Sequence, residues 1–205
     1  MSTLQTTSLN ALADSQTCLG LRSAYLAKMY AQQLYLMNAR RMEEASLYVV
    51  AHAFRFTAAQ EKEHADFLRG LLARCGDACV PPAEDAPLLL SGEPLELLHA
   101  AIEAEQEAGE AFYPHLAQIA RREGYSRIAE SFLRIAETER LHAKRFRQYA
   151  KALAEGSLFR DADRISWLCL PCGQFHTGQE APRRCSGCGR DQGHFIRSSF
   201  YPFSV

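Results

Sequence analysis

Four cysteines near the C-terminus have the residue types and spacing of a metal site. They form two Cys-x-x-Cys pairs, Cys169 with Cys172 and Cys185 with Cys188, and twelve residues separate the pairs. This spacing can place four thiolates around one tetrahedral ion. A glycine follows each pair and permits the positive φ at which backbone N–H groups turn toward the sulfur atoms. The pattern predicts a four-cysteine site for iron or zinc, because both accept tetrahedral thiolate ligands; two structural disulfides are the alternative.

Two Glu-x-x-His motifs form a second candidate metal site. Glu61 and His64 belong to the first motif, and Glu139 and His142 belong to the second. Positions i and i+3 of an α-helix are about 60° apart, so each carboxylate and imidazole can bind the same ion. Both motifs are in register with apolar residues, which directs them toward an interior. Buried carboxylates need a counter-charge, and the motifs therefore predict a metal in a helix-bundle core.

Glu105 and Lys28 are expected at the same depth of this core. Glu105 lies on the apolar stripe of a third helical segment, whereas its neighbours Glu103, Glu107 and Glu110 are rotated toward solvent. The first helical segment offers Lys28 where a symmetric dimetal site would need a carboxylate. Three carboxylates and one ammonium leave two negative charges, which one divalent ion balances. We expect a single metal or a salt bridge here. A lysine that extends to the bundle surface and a carbamylated lysine are the alternatives.

Helical segments must position these residues. From about Leu9 to Arg74 and from about Leu95 to Leu153, apolar residues recur at steps of three and four. Each stretch breaks near its middle, at residues 43–46 and 123–124, and a proline-containing connection over residues 76–94 joins the stretches. The sequence therefore predicts an all-α, four-helix bundle with one long crossover.

The two helical stretches also resemble each other at a fixed offset. The offset pairs Tyr35 with Tyr113, Phe54 with Phe132, Glu61 with Glu139, and His64 with His142. An internal duplication of a helical hairpin explains this pattern. The helical periodicity of apolar residues ends after Leu153. A small β-rich module is expected to follow, with a core formed by Trp167, Phe175 and Phe195. This module should depend on its metal, because a chain of about 40 residues buries too little apolar surface to fold unaided.

Composition limits the classes of function. The 205 residues are 47% hydrophobic and 23% charged, which suits a full-sized domain over residues 1–155 and a small one over residues 156–205. A net charge of −1 argues against a nucleic-acid partner. Neither a leader peptide nor a membrane span is indicated, which predicts a cytoplasmic protein without a membrane partner. The three remaining cysteines, Cys18, Cys75 and Cys79, are interpreted as reduced bystanders, with a Cys75 and Cys79 redox pair as the alternative.

The combination of motifs resembles the rubrerythrin family over nearly the whole chain. The matching stretches are Phe54-x-x-x-Ala58-x-x-Glu61-Lys-Glu-His64, Tyr113-Pro114-x-x-Ala117, Ile135-Ala136-x-x-Glu139-x-x-His142 and Trp167-x-Cys169-x-x-Cys172. The resemblance implies a ferritin-like four-helix bundle followed by a rubredoxin-like metal domain. It implies that the bundle iron ligands are Glu61, His64, Glu105, Glu139 and His142. It also implies that Tyr35 and Tyr113 form hydrogen bonds around this site.

The resemblance further implies a peroxidase-type enzyme. In this interpretation the protein reduces hydrogen peroxide with electrons that a donor reductase supplies and the cysteine-bound iron relays. The resemblance also implies a homodimer in which one subunit's cysteine site faces the bundle of the other.

Two departures affect the transfer of this function. Lys28 replaces the family's first-helix glutamate, and Ala108 replaces its second glutamate on the third helix. We therefore expect a mononuclear or depleted bundle site, where the family has two irons, and reduced or altered peroxidase activity. The alternatives are an electron-transfer or metal-binding protein whose bundle site does not turn over, and a zinc-ribbon adaptor with an inert bundle.

Overall fold

The computed structural model describes residues 12–75 and 92–200. Its α-helices are α1 (Gln16–Glu44), α2 (Tyr48–Leu72), α3 (Pro94–Glu107), α4 (Tyr113–Arg122) and α5 (Ser126–Ala154), and a π-helical turn, Ala108–Phe112, joins α3 to α4. α1 packs on α2, and the α3–α4 unit packs on α5. The prediction of a four-helix bundle is confirmed. Most of the crossover, Cys79 and the predicted helix start at Leu9 lie outside the described residues.

The two predicted helix breaks are present and have the same geometry. After α1, Ser46 has a φ of 58° and the Leu47 amide donates to the Met42 carbonyl at 2.8 Å. After α4, Gly124 has a φ of 86° and the Tyr125 amide donates to the Ala120 carbonyl at 2.7 Å. Both turns are Schellman C-caps, in which a residue with positive φ lets the chain reverse. Ser46 and Gly124 are equivalent positions under the offset that relates the two halves, so the turn geometry agrees with an internal duplication.

Glu123, in the α4–α5 turn, ties this end of the bundle to the start of α1. Its carboxylate accepts hydrogen bonds from the Gln16 amide at 3.0 Å, from the Thr17 amide at 2.8 Å and from the Thr17 hydroxyl at 2.5 Å. The first amides of a helix have no partner within the helix. A carboxylate from another element therefore caps α1 together with Ser15, whose hydroxyl accepts from the Cys18 amide at 3.1 Å.

Two apolar clusters fill the bundle, one toward each end. One includes Tyr35, Phe54 and Phe146, with the rings of Phe54 and Phe146 4.6 Å apart. The other includes Tyr113 and Phe132, whose rings are 6.2 Å apart. The polar residues of the candidate metal site lie in neither cluster. This arrangement places the site between two apolar layers.

A three-stranded antiparallel sheet follows the bundle, as the predicted β-rich module. Its strands are β1 (Arg160–Cys169), β2 (Phe175–Glu180) and β3 (Phe195–Arg197), in the order β2-β1-β3. Trp167 and Phe195 are fully buried in its core, as predicted. The prediction for Phe175 was wrong, because this side chain is 59% exposed. The next residue on β2, His176, packs its ring 5.2 Å from Phe195, so the alternation of the strand directs Phe175 to the opposite face.

The module packs against the end of the bundle that carries the α1–α2 turn. The imidazole of His194 stacks on the ring of Tyr48, with centroids 3.8 Å apart and planes 18° apart. Three apolar side chains from the linker and sheet, Leu158, Leu168 and Ile196, join the adjacent bundle cluster. None of the helices in the described part of the chain is both long and apolar enough to cross a membrane.

Candidate metal centre

Four of the five predicted bundle ligands converge in the core. Glu61 of α2, Glu105 of α3, and Glu139 and His142 of α5 are all buried, and their candidate ligand atoms lie within 4.8 Å of one another. His64 lies at the edge of this group: its side chain is 19% exposed, and its Nδ1 is 3.5 Å from Glu139 Oε1. The two Glu-x-x-His motifs therefore contribute two carboxylates and one imidazole, Glu105 adds the third carboxylate, and the second imidazole lies beside them.

Lys28 of α1 reaches into the same group. Its side chain is 3% exposed, and its Nζ lies 2.5 Å from Glu61 Oε2 and donates a hydrogen bond to Glu139 Oε2. The ammonium therefore lies among the carboxylates and not at the bundle surface. It occupies the side of the site where α1 has no acid, as the charge argument predicted.

Two further side chains, Tyr35 and Gln60, orient the group. Tyr35 donates a hydrogen bond from its hydroxyl to Glu105 Oε1 at 2.7 Å. His142 Nε2 lies 3.2 Å from Gln60 Oε1. Nδ1 faces the carboxylates, 2.9 Å from Glu61 Oε1, and in the neutral form with Nε2 as the donor its lone pair would be available to a metal. Gln60 was not found from the sequence, because it lies outside the Glu-x-x-His motif and no spacing rule marks it.

Tyr113 takes part in a different way from its counterpart Tyr35. The Lys28 ammonium lies 5.3 Å from the centroid of the Tyr113 ring, and the buried phenol oxygen has no hydrogen bond of acceptable geometry in the described residues. The Tyr35 hydroxyl therefore donates to a carboxylate, whereas the neighbour of the Tyr113 oxygen is the Lys28 ammonium, which can only act as a donor to it. The exchange of a carboxylate for Lys28 on α1 accounts for this asymmetry, because an ammonium has no lone pair to accept the phenol proton.

The pKa values of Lys28 and Glu139 reflect a competition between burial and charge. Burial alone would lower the pKa of Lys28, but the negative charges that Tyr113, Glu61 and Glu139 can carry outweigh it, and the net shift is upward. Lys28 is therefore an ammonium at neutral pH. Burial raises the pKa of Glu139 to about 8 against the opposing effect of Lys28. A carboxyl with this pKa takes up a proton readily when no metal is near.

The two histidines of the motifs differ in charge. Burial would lower the pKa of His142, but its contacts with Glu105 and Glu61 raise the pKa to about 9. Burial and the nearby Lys28 ammonium lower the pKa of His64 to about 4. His64 is therefore neutral at physiological pH and can offer a lone pair to a metal without losing a proton.

The buried polar atoms of this group are arranged as the ligands of a cation would be. Several have no hydrogen bond of acceptable geometry in the described chain, namely both carboxylate oxygens of Glu61, one each of Glu105 and Glu139, and Nδ1 of His64 and of His142. Positive charge already faces two of these acceptors, because Lys28 Nζ lies 2.5 Å from Glu61 Oε2 and His142 Nδ1 lies 2.9 Å from Glu61 Oε1. Their convergence fits a bound metal, and a mixed carboxylate and imidazole donor set suits iron.

The π-helical turn sets the position of Glu105. Glu105 precedes Tyr113 by eight residues, whereas Lys28 precedes Tyr35 by seven. The π turn at Ala108–Phe112 lies inside the longer interval and accommodates the additional residue. Gly109 within it allows α5 to approach closely: a Cβ there would lie 2.9 Å from the Ala136 carbonyl oxygen. Arg140 donates to the Gly109 carbonyl at 2.6 Å.

The four-cysteine site has the dimensions of a tetrahedral metal site. Sγ of Cys169 lies 3.7 Å from Sγ of Cys188, and Sγ of Cys172 lies 3.6 Å from Sγ of Cys185. A tetrahedron with metal–sulfur bonds of about 2.3 Å has edges of about 3.8 Å. These thiols are free, so the disulfide alternative is not what the structure shows. Both glycines have the predicted positive φ, 74° at residue 173 and 76° at residue 189.

Hydrogen bonds favour the thiolate form of Cys185. Burial opposes ionisation, but the His176 imidazole, 3.6 Å from Sγ, and the amides of Gly187 and Cys188 lower the pKa of Cys185 to about 6. A thiolate is the form that binds metal. His176 was not singled out in the sequence, and only the pairing of β1 with β2 brings it to the site.

Two of the three cysteines outside this site, Cys18 and Cys75, are free and buried. Burial and contact with the Cys18 thiol raise the pKa of Cys75 to about 12. Cys18 and Cys75 are therefore buried neighbours, which agrees with bystander thiols. The alternative redox partner of Cys75, Cys79, lies outside the described residues.

Comparison with known proteins identifies related chains. The Rubrerythrin family model matches residues 96–165. A rubrerythrin of Nitratidesulfovibrio vulgaris is 31% identical over 187 residues, which cover 91% of this chain and 96% of that protein. A protein described as a putative rubrerythrin from Methanocaldococcus jannaschii is 30% identical over 187 residues, which cover 88% of this chain and 91% of the relative.

Solved structures agree with these similarities. Nigerythrin in its fully reduced, all-ferrous state superposes with a TM-score of 0.64 at 25% identity, with 92% of each chain covered. A bacterioferritin from Desulfovibrio desulfuricans, at 14% identity and a TM-score of 0.66, covers 72% of this chain and 85% of its own length and shares the fold. Taken with the two metal-binding groups of side chains, these similarities lead to one conclusion. The chain belongs to the rubrerythrin family of non-haem iron proteins.

Proposed function

We propose that the protein reduces hydrogen peroxide and that electrons reach its bundle metal through iron at the four-cysteine site. The observation that carries this proposal is the presence, in one chain, of two metal-binding groups with different donor atoms. Four thiolates suit an iron that only transfers electrons, because every ligand position is filled. Carboxylates and imidazoles suit an iron that also binds a small substrate.

We propose that Glu61, Glu105, Glu139 and His142 hold the bundle iron, with His64 completing the set from the edge of the group. Iron bound there would supply the redox chemistry. Peroxide reduction takes two electrons, so one ferrous ion would need an additional electron relayed through the four-cysteine iron. The Lys28 ammonium already neutralises part of the carboxylate charge and occupies space between Glu61 and Glu139. We therefore assign one iron to the bundle.

The remaining side chains position and protect this centre. Tyr35 holds one oxygen of Glu105 in place, and Gln60 directs His142 so that Nδ1 points inward. Lys28 can donate a hydrogen bond to a peroxide oxygen, because an ammonium carries three N–H donors. The apolar clusters on either side limit the access of water, which strengthens each of these polar contacts.

The organisation of the protein follows from the same family membership. We propose a bundle domain over residues 1–155 and a four-cysteine domain over residues 156–205. We further propose a cytoplasmic homodimer that receives electrons from a separate reductase. The stacking of His194 on Tyr48 supports a fixed attachment of the second domain to its own bundle.

A second candidate function follows from Lys28. If the Lys28 ammonium takes the place of an iron and the bundle site cannot turn over peroxide, the protein carries electrons or stores metal without peroxidase activity. The burial of Lys28 among three carboxylates favours this candidate more than any other feature does.

Metal analysis combined with a peroxidase assay separates the two candidates. The protein is loaded anaerobically with ferrous iron, and iron per chain is measured beside hydrogen peroxide reduction by a rubredoxin-type electron donor. We expect two irons per chain, one at each site, and measurable turnover that Glu61→Ala abolishes. Glu63→Ala, one exposed acid from the same helix, is the matched control and should retain activity. Loading without turnover would support the second candidate, and three irons per chain would refute the single-iron assignment.

A further inference from the structure

A cavity of about 190 Å³ connects the bundle metal site to the protein surface. It lies between α1 and the α3–α4 unit. Its inner wall is formed by Lys28, Glu105 and Glu139 of the metal site, together with the two tyrosines beside them. It therefore opens directly onto the atoms that would hold the bundle iron.

The outer part of this cavity is apolar. Its walls are formed by small residues, Ala27, Ala31 and Ala104, and by larger apolar or aromatic ones such as Leu34 and Phe112. Ala27 and Ala104 are exposed and mark the mouth. Every charged group among the residues that line the cavity belongs to the metal site at its inner end. A molecule that enters therefore meets apolar surface first and charge only at the metal.

The shape of this entrance does not match hydrogen peroxide alone. Hydrogen peroxide is polar and small, so an apolar passage offers it no compensation for lost hydration. The volume is also far greater than two oxygen atoms need. An apolar cavity of about 150 Å³ accommodates benzene, so 190 Å³ can hold a branched alkyl or phenyl group.

From these features we propose that the cavity binds the organic group of an alkyl or aryl hydroperoxide, whose peroxide end then reaches the metal site. This assignment rests on the proposed peroxidase function and names its substrate class. The apolar part of the substrate contacts Ala31, Leu34 and Phe112, and the two peroxide oxygens face Lys28 and Glu139. Burial of the organic group contributes binding energy that hydrogen peroxide cannot supply.

The reaction of such a substrate balances with the electron source already named. The O–O bond of ROOH breaks on the uptake of two electrons, delivered through the four-cysteine iron, and of two protons from water. One oxygen leaves as the alcohol ROH, and the other leaves as water. The alcohol keeps the organic group and can leave through the apolar passage by which the hydroperoxide entered.

Narrowing the cavity tests the proposal. Ala31→Leu fills the passage without changing a residue of the metal site, and Ala59→Leu places the same change at an exposed position of α2 as the matched control. Iron-loaded wild-type protein and both variants are assayed with cumene hydroperoxide and with hydrogen peroxide. Binding of the product alcohol, 2-phenyl-2-propanol, is measured by calorimetry without reductant, which gives a readout independent of turnover.

We expect wild-type protein to use cumene hydroperoxide with a kcat/KM at least about tenfold above that for hydrogen peroxide, since each methylene contact in an apolar pocket contributes about 10- to 200-fold. Ala31→Leu should reduce that preference about tenfold and weaken alcohol binding, while Ala59→Leu changes neither. Should Ala31→Leu not fold, Ala104→Leu at the mouth replaces it. A preference for hydrogen peroxide that the Ala31 variant leaves unchanged overturns the substrate assignment alone. Absence of turnover with both peroxides in iron-loaded protein overturns the peroxidase function as well.

Discussion

Replacing Lys28 by methionine tests whether its ammonium stabilises the metal-free bundle. Methionine keeps the length and apolar stem of the side chain and removes only the charge. In the structure the ammonium contacts Glu61 at 2.5 Å and hydrogen-bonds to Glu139, and all three groups are at most 3% exposed. Without it, the protonated His142 imidazole is the cation that stays in direct contact with these carboxylates among the described residues.

The size of the effect follows from this burial. Removing one partner of a buried ion pair costs about 3–5 kcal/mol. Glu139 can relieve part of the cost by taking up a proton, because burial already raises its pKa to about 8. We therefore expect Lys28→Met to lose about 3 kcal/mol of unfolding free energy at pH 8. This is a large share of the total stability of about 5–15 kcal/mol that is typical of a domain.

Urea denaturation in the presence of a chelator, monitored by the circular dichroism of the helices, measures this difference in unfolding free energy. Lys62→Met is the control, since Lys62 pairs with Asp66 on the exposed face of α2 and should change little. Ferrous iron should reduce the difference in unfolding free energy between Lys28→Met and wild type, because a metal restores the missing positive charge. If Lys28→Met is as stable as wild type in the chelator, the ammonium does not compensate the carboxylates and the single-iron argument fails with it.

Three further predictions concern stability. The metal-free protein should lose about 3 kcal/mol of unfolding free energy between pH 7 and pH 9, because the folded-state pKa values of Glu139, about 8, and His142, about 9, lie above their unfolded values and the native state releases protons in this window. Urea midpoints in a chelator measure this loss, and a flat profile would contradict it. Glu123→Ala should cost about 1 kcal/mol, because the first amides of α1 lose their cap, and amide exchange at Thr17 should accelerate. Gly109→Ala should cost about 1–3 kcal/mol, because its Cβ would lie 2.9 Å from the Ala136 carbonyl oxygen, and an unchanged thermal midpoint would show that α5 moves away freely.

The bundle could be predicted from sequence because its signals are repeated. The same apolar periodicity, the same break and the same Glu-x-x-His motif occur in both halves at one constant offset, so each half supports the interpretation of the other. The small sheet was predictable only as a class of structure. Its core depends on strand pairing, and the exposure of Phe175 follows from which face of β2 meets Phe195.

The part of the candidate site that depends on spacing along a helix could be predicted from the sequence. Spacing of three residues identifies Glu61 with His64 and Glu139 with His142, and the charge argument identifies Lys28. Gln60 and His176 could not be found this way, because they act through contacts between different elements. The proximity of Cys18 to Cys75 likewise joins positions that are far apart along the chain, for which one sequence gives no signal.

The π-helical turn bears on how the two halves of the bundle could diverge. An added residue in a regular α-helix rotates everything that follows by about 100°, which would turn a buried face outward. The turn at Ala108–Phe112 confines that rotation to one short segment. Evolution could thus lengthen one copy of an ancestral hairpin while the far ends of both copies kept their partners. Deleting a single residue from this turn should therefore give a regular α-helix in which Glu105 keeps its place, at the same seven-residue spacing from the tyrosine that Lys28 has on α1.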